Sequence, residues 1–344
     1  MSKTSCGHCA KPKPWYKEPL FLMTAVILVV YLLNLGLLME GNKILAPVFE
    51  KFLSYLKLTW WAVGLGLLIG SLIDILVPEE FMANLLAEGK KSIFLAVFLG
   101  FLASACSHGI LAIAISLYKK GASTAATLAF LLAAPWANLA ITILLFALFG
   151  LKALLIIGGA ISIAVMAGFI FQILEEKGVI EGRGNKGDKR GRRDKGDKRE
   201  MGWCWPGWRR LIGGAVKSSW DLAKMVVWWV LLGFFLGSIL GTFIPEEFFH
   251  QYFGPSILGM LATLILASII EVCSEGSAPM ALELFQKTRA FGNTFVFLMA
   301  GVVTDFTEFG IVLTNIGKRA AIALVLVTVP LVLTIGFIFN WLVV

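Results

Sequence analysis

Two tetrapeptides in apolar surroundings carry the side chains that could do chemistry. The sequence reads Cys-Ser-His-Gly at 106–109 and Cys-Ser-Glu-Gly at 273–276, so each places a thiol beside a hydroxyl and a titratable group. Thiolates and imidazoles bind soft and borderline metals, whereas hard cations prefer oxygen ligands. These residue types predict a site for a thiophilic species such as a trivalent arsenical, Cu(I) or Zn(II). The candidate metal ligands are Cys106, His108, Cys273 and Glu275.

Carboxylates in the same apolar stretches extend this candidate site. A carboxylate at the centre of a bilayer costs about 2.5–3.5 kcal/mol even on the mildest scale, so intramembrane acids mark a transport pathway by default. For Glu275 and Asp305 the structural alternative is pairing with His108 or with backbone. Glu283 is set aside, because it lies near a helix end and is expected to reach the interface. The proton-coupling candidates are Glu271, Glu275, Asp305 and Glu308, and the substrate-binding candidates are Cys106, Ser107, His108, Asn138, Cys273, Ser274, Glu275 and Asp305.

The composition places these residues in a membrane protein. Hydrophobic residues make up 58% of the 344 positions, the mean hydropathy is +0.84, and only 15% of residues are charged, against about 25% in soluble domains. Such a chain has more apolar surface than a globular core can bury. We therefore expect an all-α polytopic protein of the cell membrane, and exclude a soluble enzyme, a nucleic-acid binder and a disulfide-stapled secreted domain.

Nine transmembrane helices are predicted from stretches of about 20 apolar residues. Residues 40–57 are too polar to span, and an amphipathic surface helix is expected there. The segment 175–210 holds five of the eight excess positive charges and is expected to be a disordered linker. The predicted spans are 20–39, 58–77, 92–117, 122–149, 152–174, 221–244, 255–285, 290–314 and 319–343. The predicted organisation is a polar tail with a CxxC motif over 1–19, an extra helix and interfacial segment over 20–57, a first repeat over 58–174, the linker over 175–210 and a second repeat over 211–344.

An internal duplication relates the two halves. Shifted by 167 residues, Pro-Glu-Glu-Phe at 78–81 falls on the same tetrapeptide at 245–248, and Cys-Ser-x-Gly at 106–109 falls on 273–276. A lone buried cysteine is usually an apolar filler, but two at equivalent repeat positions favour a functional role. Breaks in both helices are expected to meet at the midplane and line a cavity. Four spans per repeat predict halves related by an axis along the membrane normal, whereas one re-entrant segment in each would invert the repeats.

Basic residues predict the orientation through the positive-inside rule. We expect Lys119, Lys120, the linker, Lys287 and Arg289 on one side, the cytoplasm, together with the C-terminus. The first helix of each repeat also carries glycines four residues apart. These glycines indicate either close contact between the halves or ordinary packing within one half.

The duplicated Cys-Ser-x-Gly helix, followed after a basic turn by Ala-Phe-Leu-Leu-Ala-Ala-Pro-Trp-Ala-Asn at 129–138, resembles the ArsP/YraQ-type predicted permeases. That resemblance covers roughly 58–174 and 221–343, and it implies export of organoarsenicals or, as in some relatives, of copper and zinc. Members of that family typically show Cys-Ser-Cys-Gly, and this sequence has His108 at the third position of the motif. In the second copy, Val302 and Asp305 stand at the positions of Pro135 and Asn138. These departures favour a cation, or proton coupling.

The leading hypothesis is a secondary-active permease that exports a thiophilic metal or metalloid species and is coupled to protons. The sequence has no Walker A motif for ATP, and no cofactor is expected. The transported species and membrane lipid are the expected partners, and a homo-oligomer stays open. One alternative is a membrane thiol–disulfide electron carrier of the DsbD/CcdA type that uses Cys106 and Cys273, and another is a transporter of an organic solute. The terminal Cys6-Gly7-His8-Cys9 motif is open between metal capture, a redox pair and no specific role.

Overall fold

The computed structural model describes residues 24–25, 27–29, 31, 45–76, 86, 90–102, 107–137, 139–182, 208–270 and 274–343. Within these residues the regular structure is entirely helical. We number the helices α1 (Ala46–Leu76), α2 (Lys90–Leu102), α3 (Ser107–Lys120), α4 (Thr124–Ala137), α5 (Leu139–Phe149), α6 (Ala153–Glu176), α7 (Trp208–Phe243), α8 (Glu246–Phe253), α9 (Ile257–Ile270), α10 (Ser274–Thr288), α11 (Phe291–Val303), α12 (Phe306–Asn315) and α13 (Lys318–Leu342). The helix predicted over 20–39 lies mostly outside the described residues.

Several of these helices are suited to a bilayer by length and composition. Among the described residues, four helical stretches are long and apolar enough to cross: Ala46–Ile69, Leu139–Glu176, Phe291–Asn315 and Lys318–Leu342. A fifth results if Val227–Phe243 and Glu246–Phe253, bent by 103°, count as one span. The protein is therefore a multi-pass helical membrane protein, as its composition predicts.

The helix bounds differ from the nine predicted spans. α1 begins at Ala46, so residues 46–57 are the first turns of the helix predicted over 58–77 rather than a separate surface helix. Each of four predicted spans is shared between two helices: 92–117 by α2 and α3, 122–149 by α4 and α5, 255–285 by α9 and α10, and 290–314 by α11 and α12.

The helices meet at two opposite ends of the molecule, which we call end A and end B. At end A the Leu86 carbonyl accepts a bond from the Ser123 N–H at 3.0 Å. There the Glu175 carboxylate caps the start of α4, and Glu181 caps the start of α13.

At end B, Asn293 at the start of α11 donates to the Gly254 carbonyl at 2.8 Å, close before the start of α9. Asn340, near the end of α13, donates to Asn293 Oδ1 at 2.7 Å. The Lys287 ammonium near the end of α10 donates to the Ile244 carbonyl just beyond α7. End B therefore joins the ends of α7, α10 and α13 to the starts of α9 and α11.

α2 and α3 form a re-entrant pair that enters from end A and returns to it. α2 runs parallel to α4, because Ile93 and Ala129 both lie against Gly168, while Gly100 lies against Ala134. α3 leads back, since α4 begins at end A only four residues after α3 ends. Helices of 13 and 14 residues are about 20 Å long, too short for a hydrocarbon core of about 30 Å. The prediction of one span over 92–117 is wrong, because hydropathy does not distinguish one crossing helix from two short arms.

α4 and α5 together lead from end A to end B, and α6 returns. After α5, Gly150 at φ +58° begins a short 3₁₀ turn. α6 is antiparallel to α4, because Gly168 lies against Ala129 and Glu175 accepts the Ala125 N–H at 3.0 Å. The break between α4 and α5 therefore lies within a crossing arm.

In the second half, the path of the chain starts from end B. α9 enters from end B parallel to α11, because its Ser268 hydroxyl bonds that of Thr304 at 2.6 Å, while both helices start near Gly254. α10 returns to end B, α11 and α12 lead to end A, and α13 returns to end B. The span predicted over 255–285 is therefore also a re-entrant pair.

Two pairs of long helices, α1 with α7 and α6 with α13, run antiparallel and pack together. In α1 and α7 the rings of Tyr55 and Phe234 lie 5.8 Å apart, and Ser219 donates to the Leu67 carbonyl at 3.4 Å. α6 and α13 are antiparallel as well, since Gly159 lies against Phe339 while Glu181 caps the start of α13. Shifted by 167, the bounds of α2 to α6 fall within two residues of the bounds of α9 to α13.

The basic helix ends do not share one side as predicted. Lys119 and Lys120 end α3 at end A, whereas Lys287 lies in the last turn of α10 and Arg289 directly follows that helix, at end B. The prediction for Lys287 and Arg289 is wrong because it counted α9 and α10 as a crossing. α13 ends at end B, so the described C-terminal residues lie opposite Lys119 and Lys120.

Three glycines of the first helices in the two halves pack within their own half, whereas Gly241 of α7 lies against both Glu283 of its own half and Lys51 of the other. Gly233 of α7 lies against the backbone of Gly276 in α10, and Gly237 lies against Pro279. In the first half, Gly66 of α1 lies against Ala140 of α5. Small residues let these backbones approach closely. Of the two predicted alternatives, Gly66, Gly233 and Gly237 therefore show packing within a half rather than contact between the halves.

Candidate transport site

The inner end of α10 carries two candidate site residues. Ser274 and Glu275 begin the helix with exposures of 3% and 5%, and Ser274 Oγ donates to Glu275 Oε2 at 3.0 Å. A carboxylate in the first turn is favoured by the unsatisfied N–H groups and the positive end of the helix dipole. Glu275 is 13 residues before Thr288, which places it about 20 Å along the helix from end B.

Asp305 lies in the break between α11 and α12. Its side chain accepts the Thr307 N–H at 2.5 Å and so caps the start of α12. It is 7% exposed, and Glu308 in the first turn is 2% exposed. The 13 residues of α11 put Asp305 about 20 Å from end B, at the depth of Glu275.

The two inner breaks are joined across the halves by helix packing. α10, the return arm of the second half, packs on α5, and α12 packs on α3, the return arm of the first. All four helices start near the middle of the molecule. α4 and α11, which precede the two breaks in the crossing arms, also pack on each other, and their described residues 125–136 and 291–300 are buried throughout.

Several predicted site residues lie outside what the structure describes. Those outside the described residues are Cys106, Asn138, Glu271 and Cys273, as are Cys6 and Cys9 of the terminal motif. Ser107 and His108 are in the first turn of α3, with only their backbone described. Among the described residues no group of three or more His, Cys, Asp or Glu side chains could hold a metal ion. That the thiols, the imidazole and the carboxylates meet in one site at the midplane therefore stays a prediction.

The structure reveals one ionic cluster that the sequence reasoning missed. Glu283 is 1% exposed, and its two carboxylate oxygens each lie 2.9 Å from Lys51 Nζ. The Tyr55 hydroxyl donates to the same carboxylate. The expectation that Glu283 reaches the interface is wrong, because α1 covers it. The sequence signal that could have revealed this cluster is the presence of Lys51 and Glu283, each in a stretch that is otherwise apolar enough to be buried.

At end A, one acidic side chain ties the two halves. Glu181, which follows α6, accepts the N–H groups of Arg319 at 3.0 Å and Ala320 at 2.8 Å. Partial burial alone would raise the pKa of Glu181, but these backbone bonds and the nearby Arg319 charge together hold that pKa below its ordinary value of 4.5. The carboxylate therefore remains ionised and caps α13 under neutral conditions.

Re-entrant short helices, inner breaks and buried carboxylates at the depth of those breaks are typical of a membrane permease. A protein-family model described as "ArsP_1: Predicted permease" matches residues 44–341. The chain belongs to this predicted permease family.

Two relatives support the family assignment. The chain is 25% identical over 276 residues to the UPF0718 protein YcgR of Bacillus subtilis, covering 78% of this chain and 88% of the relative. It is 27% identical over 245 residues to the Mycobacterium tuberculosis protein Rv2963, whose name describes it as a permease, covering 66% of this chain and 60% of the relative. No solved structure matches the chain.

Proposed function

We propose that the protein is a secondary-active permease of the cell membrane that exports a thiophilic metal or metalloid species, either a trivalent organoarsenical or a soft or borderline metal cation. The observation that carries this proposal is the common depth of Glu275 and Asp305, about 20 Å from end B along α10 and α11. These carboxylates flank the inner ends of helices that contact one another across the halves.

We further propose that the chain consists of two repeats of inverted topology. Each repeat would have three crossing arms and one re-entrant pair, an odd number of crossings. The antiparallel packing of α1 on α7 and of α6 on α13 supports this arrangement, as do the helix bounds that recur after 167 residues. In inverted repeats, substrate sites lie near the midplane, where interrupted helices from both repeats meet.

The donor types of the two Cys-Ser-x-Gly segments favour a soft or borderline species. Cys106 and Cys273 would supply sulfur, and His108 would supply an imidazole nitrogen, ligands that arsenic(III), Cu(I) and Zn(II) accept more readily than alkali metals do. Ser107, Asn138 and Ser274 would complete the site with polar oxygens. The burial of Glu275, beside Ser274, favours a role in charge compensation.

Proton coupling is assigned to the carboxylates of the second repeat. Glu275, Asp305 and Glu308 are all buried, and a buried carboxylate that changes partners can bind and release a proton. Glu271, which follows α9 in the sequence and lies outside the described residues, would join this set. Such a relay would couple transport to the proton gradient, an energy source open to a sequence without a Walker A motif.

The experiment is a resistance and transport assay with single cysteine variants. A host that lacks its own exporters would express the wild type, Cys106→Ser, Cys273→Ser and, as a matched control outside the site, Cys204→Ser. We expect resistance to a trivalent methylarsenical or to Zn(II), with loss of at least tenfold in either site variant and no loss in the control. Everted vesicles should accumulate the same species, and collapse of the proton gradient should stop accumulation.

Unchanged resistance to every soft metal and arsenical in both site variants would refute the thiol site. A Cys106–Cys273 disulfide that thioredoxin reduces, in a protein that confers no resistance, would instead support the electron carrier.

A further inference from the structure

We propose that Glu283 is a proton-exchanging site of the transport cycle, which the Lys51 ammonium and the Tyr55 hydroxyl hold as a carboxylate until α1 and α10 separate. The inference rests on the proposed proton-coupled transport. It assigns a second titrating position, distinct from the carboxylates at the inner breaks.

The geometry around Glu283 is that of a closed ion pair. Its side chain is 2% exposed, whereas the side chain of Lys51 is 36% exposed. Both carboxylate oxygens lie 2.9 Å from the Lys51 ammonium, and Tyr55 donates a further bond. Gly241 of α7 leaves the space, since a Cβ atom there would collide with both charged groups.

The pair connects the two halves at a place that must move in an alternating mechanism. Lys51 and Tyr55 belong to α1 of the first half, and Glu283 belongs to α10, the return arm of the second. Glu283 follows Glu275 by eight residues on one helix, about 12 Å. A rigid displacement of α10 that changes the inner end would also separate Glu283 from Lys51.

Water has a route to one side of the pair. A cavity of about 570 Å³ near end B is lined by Pro47, Glu50, Lys51, Ser54, Gly241 and Thr242. Lys51 forms part of its wall, and Glu283 lies behind that lysine. When α1 and α10 separate, the Glu283 carboxylate faces the cavity and accepts a proton. When the helices close again, the ion pair with Lys51 re-forms and the proton is released to the cavity.

The other charged groups nearby are few. Lys287 lies one turn further along α10 and interacts electrostatically with Lys51 and Glu283, and Glu246 and Glu247 of α8 act on Lys287. Glu50 of α1 lines the cavity. Among the described residues of α5, α7 and α11, no charged side chain contacts Glu283. Lys152, beyond α5, lies over the Phe285 ring at 4.3 Å.

A purely structural role is a weak explanation for this pair. Replacing a buried ion pair with well-packed apolar groups is often neutral or stabilising, because both charges must lose their hydration. A carboxylate within an apolar helix is therefore expected to mark a proton or substrate pathway.

The test measures proton binding directly, by infrared spectroscopy of the purified full chain in nanodiscs. During an acid titration we expect a protonated carboxylic-acid signal that Glu283→Gln removes. Glu50→Gln, which changes an acid in the same cavity, is the control and should leave this signal in place.

A transport arm uses the same variants in proteoliposomes with radioactive Zn²⁺ and a trivalent methylarsenical as probes. Glu283→Gln should lose at least 90% of gradient-driven accumulation while retaining exchange of the probe without a gradient. The double variant Lys51→Gln/Glu283→Gln keeps the test valid if the single variant does not fold. Gradient-driven accumulation at the wild-type level in a Glu283 variant would overturn the proposal, as would an unchanged infrared signal. Failure of wild-type protein to transport either probe would count against the proposed substrates, whereas the infrared result judges Glu283 separately.

Discussion

The close contact of α7 with α10 makes a sharp prediction for Gly233→Ala. A Cβ atom at 233 would meet the carbonyl oxygen, the Cα and the carbonyl carbon of Gly276. All three are backbone atoms, so no side-chain rotation relieves the collision, and α10 must shift as a whole. Overpacking of this kind costs about 1–3 kcal/mol, and the backbone obstacle favours the upper part of that range. Alanine in place of glycine within a helix recovers about 1 kcal/mol.

The expected net loss for Gly233→Ala is therefore about 2 kcal/mol in the free energy of unfolding. With an unfolding entropy of about 2.1 cal/mol/K per residue, this corresponds to roughly 3 °C in the unfolding temperature of a chain of this size. The assay is thermal unfolding of the detergent-purified full chain at one fixed heating rate. The contact of Gly233 with Gly276 joins α7 to α10, the helix that is proposed to move during transport. Transport measured on the same variant should therefore fall as well.

Gly64→Ala is the matched control on α1. No atom lies within 4 Å of a Cβ built at Gly64, so alanine there should raise stability by about 0.4–1 kcal/mol through the unfolded chain and helix propensity. A Gly233→Ala protein that unfolds at or above the wild-type temperature, while Gly64→Ala behaves as expected, would refute the close-packing argument.

Three further predictions follow from described contacts. Glu181→Gln should reduce stability at neutral pH by less than about 1 kcal/mol, because the lost helix cap is largely solvent-exposed. Since the folded-state pKa of Glu181 lies below 4.5, the difference from wild type should disappear as the pH falls through that folded-state pKa. Thermal unfolding over a series of acidic pH values measures this difference. Asn340→Leu should cost about 1–3 kcal/mol in chemical unfolding, because the Gly292 N–H at end B loses its 2.7 Å acceptor; no change would mean that water replaces the amide. Gly241→Ala should leave the protein folded but force apart the buried ion pair of α1 and α10, so that zinc accumulation falls at least fivefold; wild-type accumulation would contradict the assigned role.

The helical membrane class and the family could be predicted from the sequence because both follow from local patterns. The chain has more apolar residues than a soluble core can bury, which indicates the membrane class. The Cys-Ser-x-Gly segments recur with their flanking residues, which indicates the family. The ends of α2 at Leu102 and of α9 at Ile270 lie close before these segments. Serine and glycine in both segments, with Pro279 after the second, disfavour an unbroken helix through local chemistry alone.

Chain direction could not be predicted in the same way. Hydropathy over 92–117 is the same whether the chain crosses once or enters and returns. What decides between them is the contact of Leu86 with Ser123 at end A and that of Ser268 with Thr304 near the inner end. These contacts depend on the packing of α2 beside α4 and of α9 beside α11, which no local pattern records.

The ion pair of Glu283 with Lys51 was missed for a related reason. Lys51 is 232 positions away from Glu283 and belongs to residues whose charge suggested a surface segment. Glu50, Lys51 and Lys57 made residues 40–57 look too polar to be part of a long helix. One of those charges is neutralised by a carboxylate from the other half, and that compensation becomes visible only in three dimensions.

The acidic turn after α6 has a consequence for how the protein can be assembled. Glu175, in the last turn of α6, bonds the start of α4, and Glu181, just after α6, caps the start of α13, so the halves are held together at end A before the charged connecting segment begins. Two polypeptides, divided within 183–207 and made in the same cell, therefore carry the contacts needed to find each other. A gene-splitting event at this point would yield a heterodimer with the same architecture as the single chain.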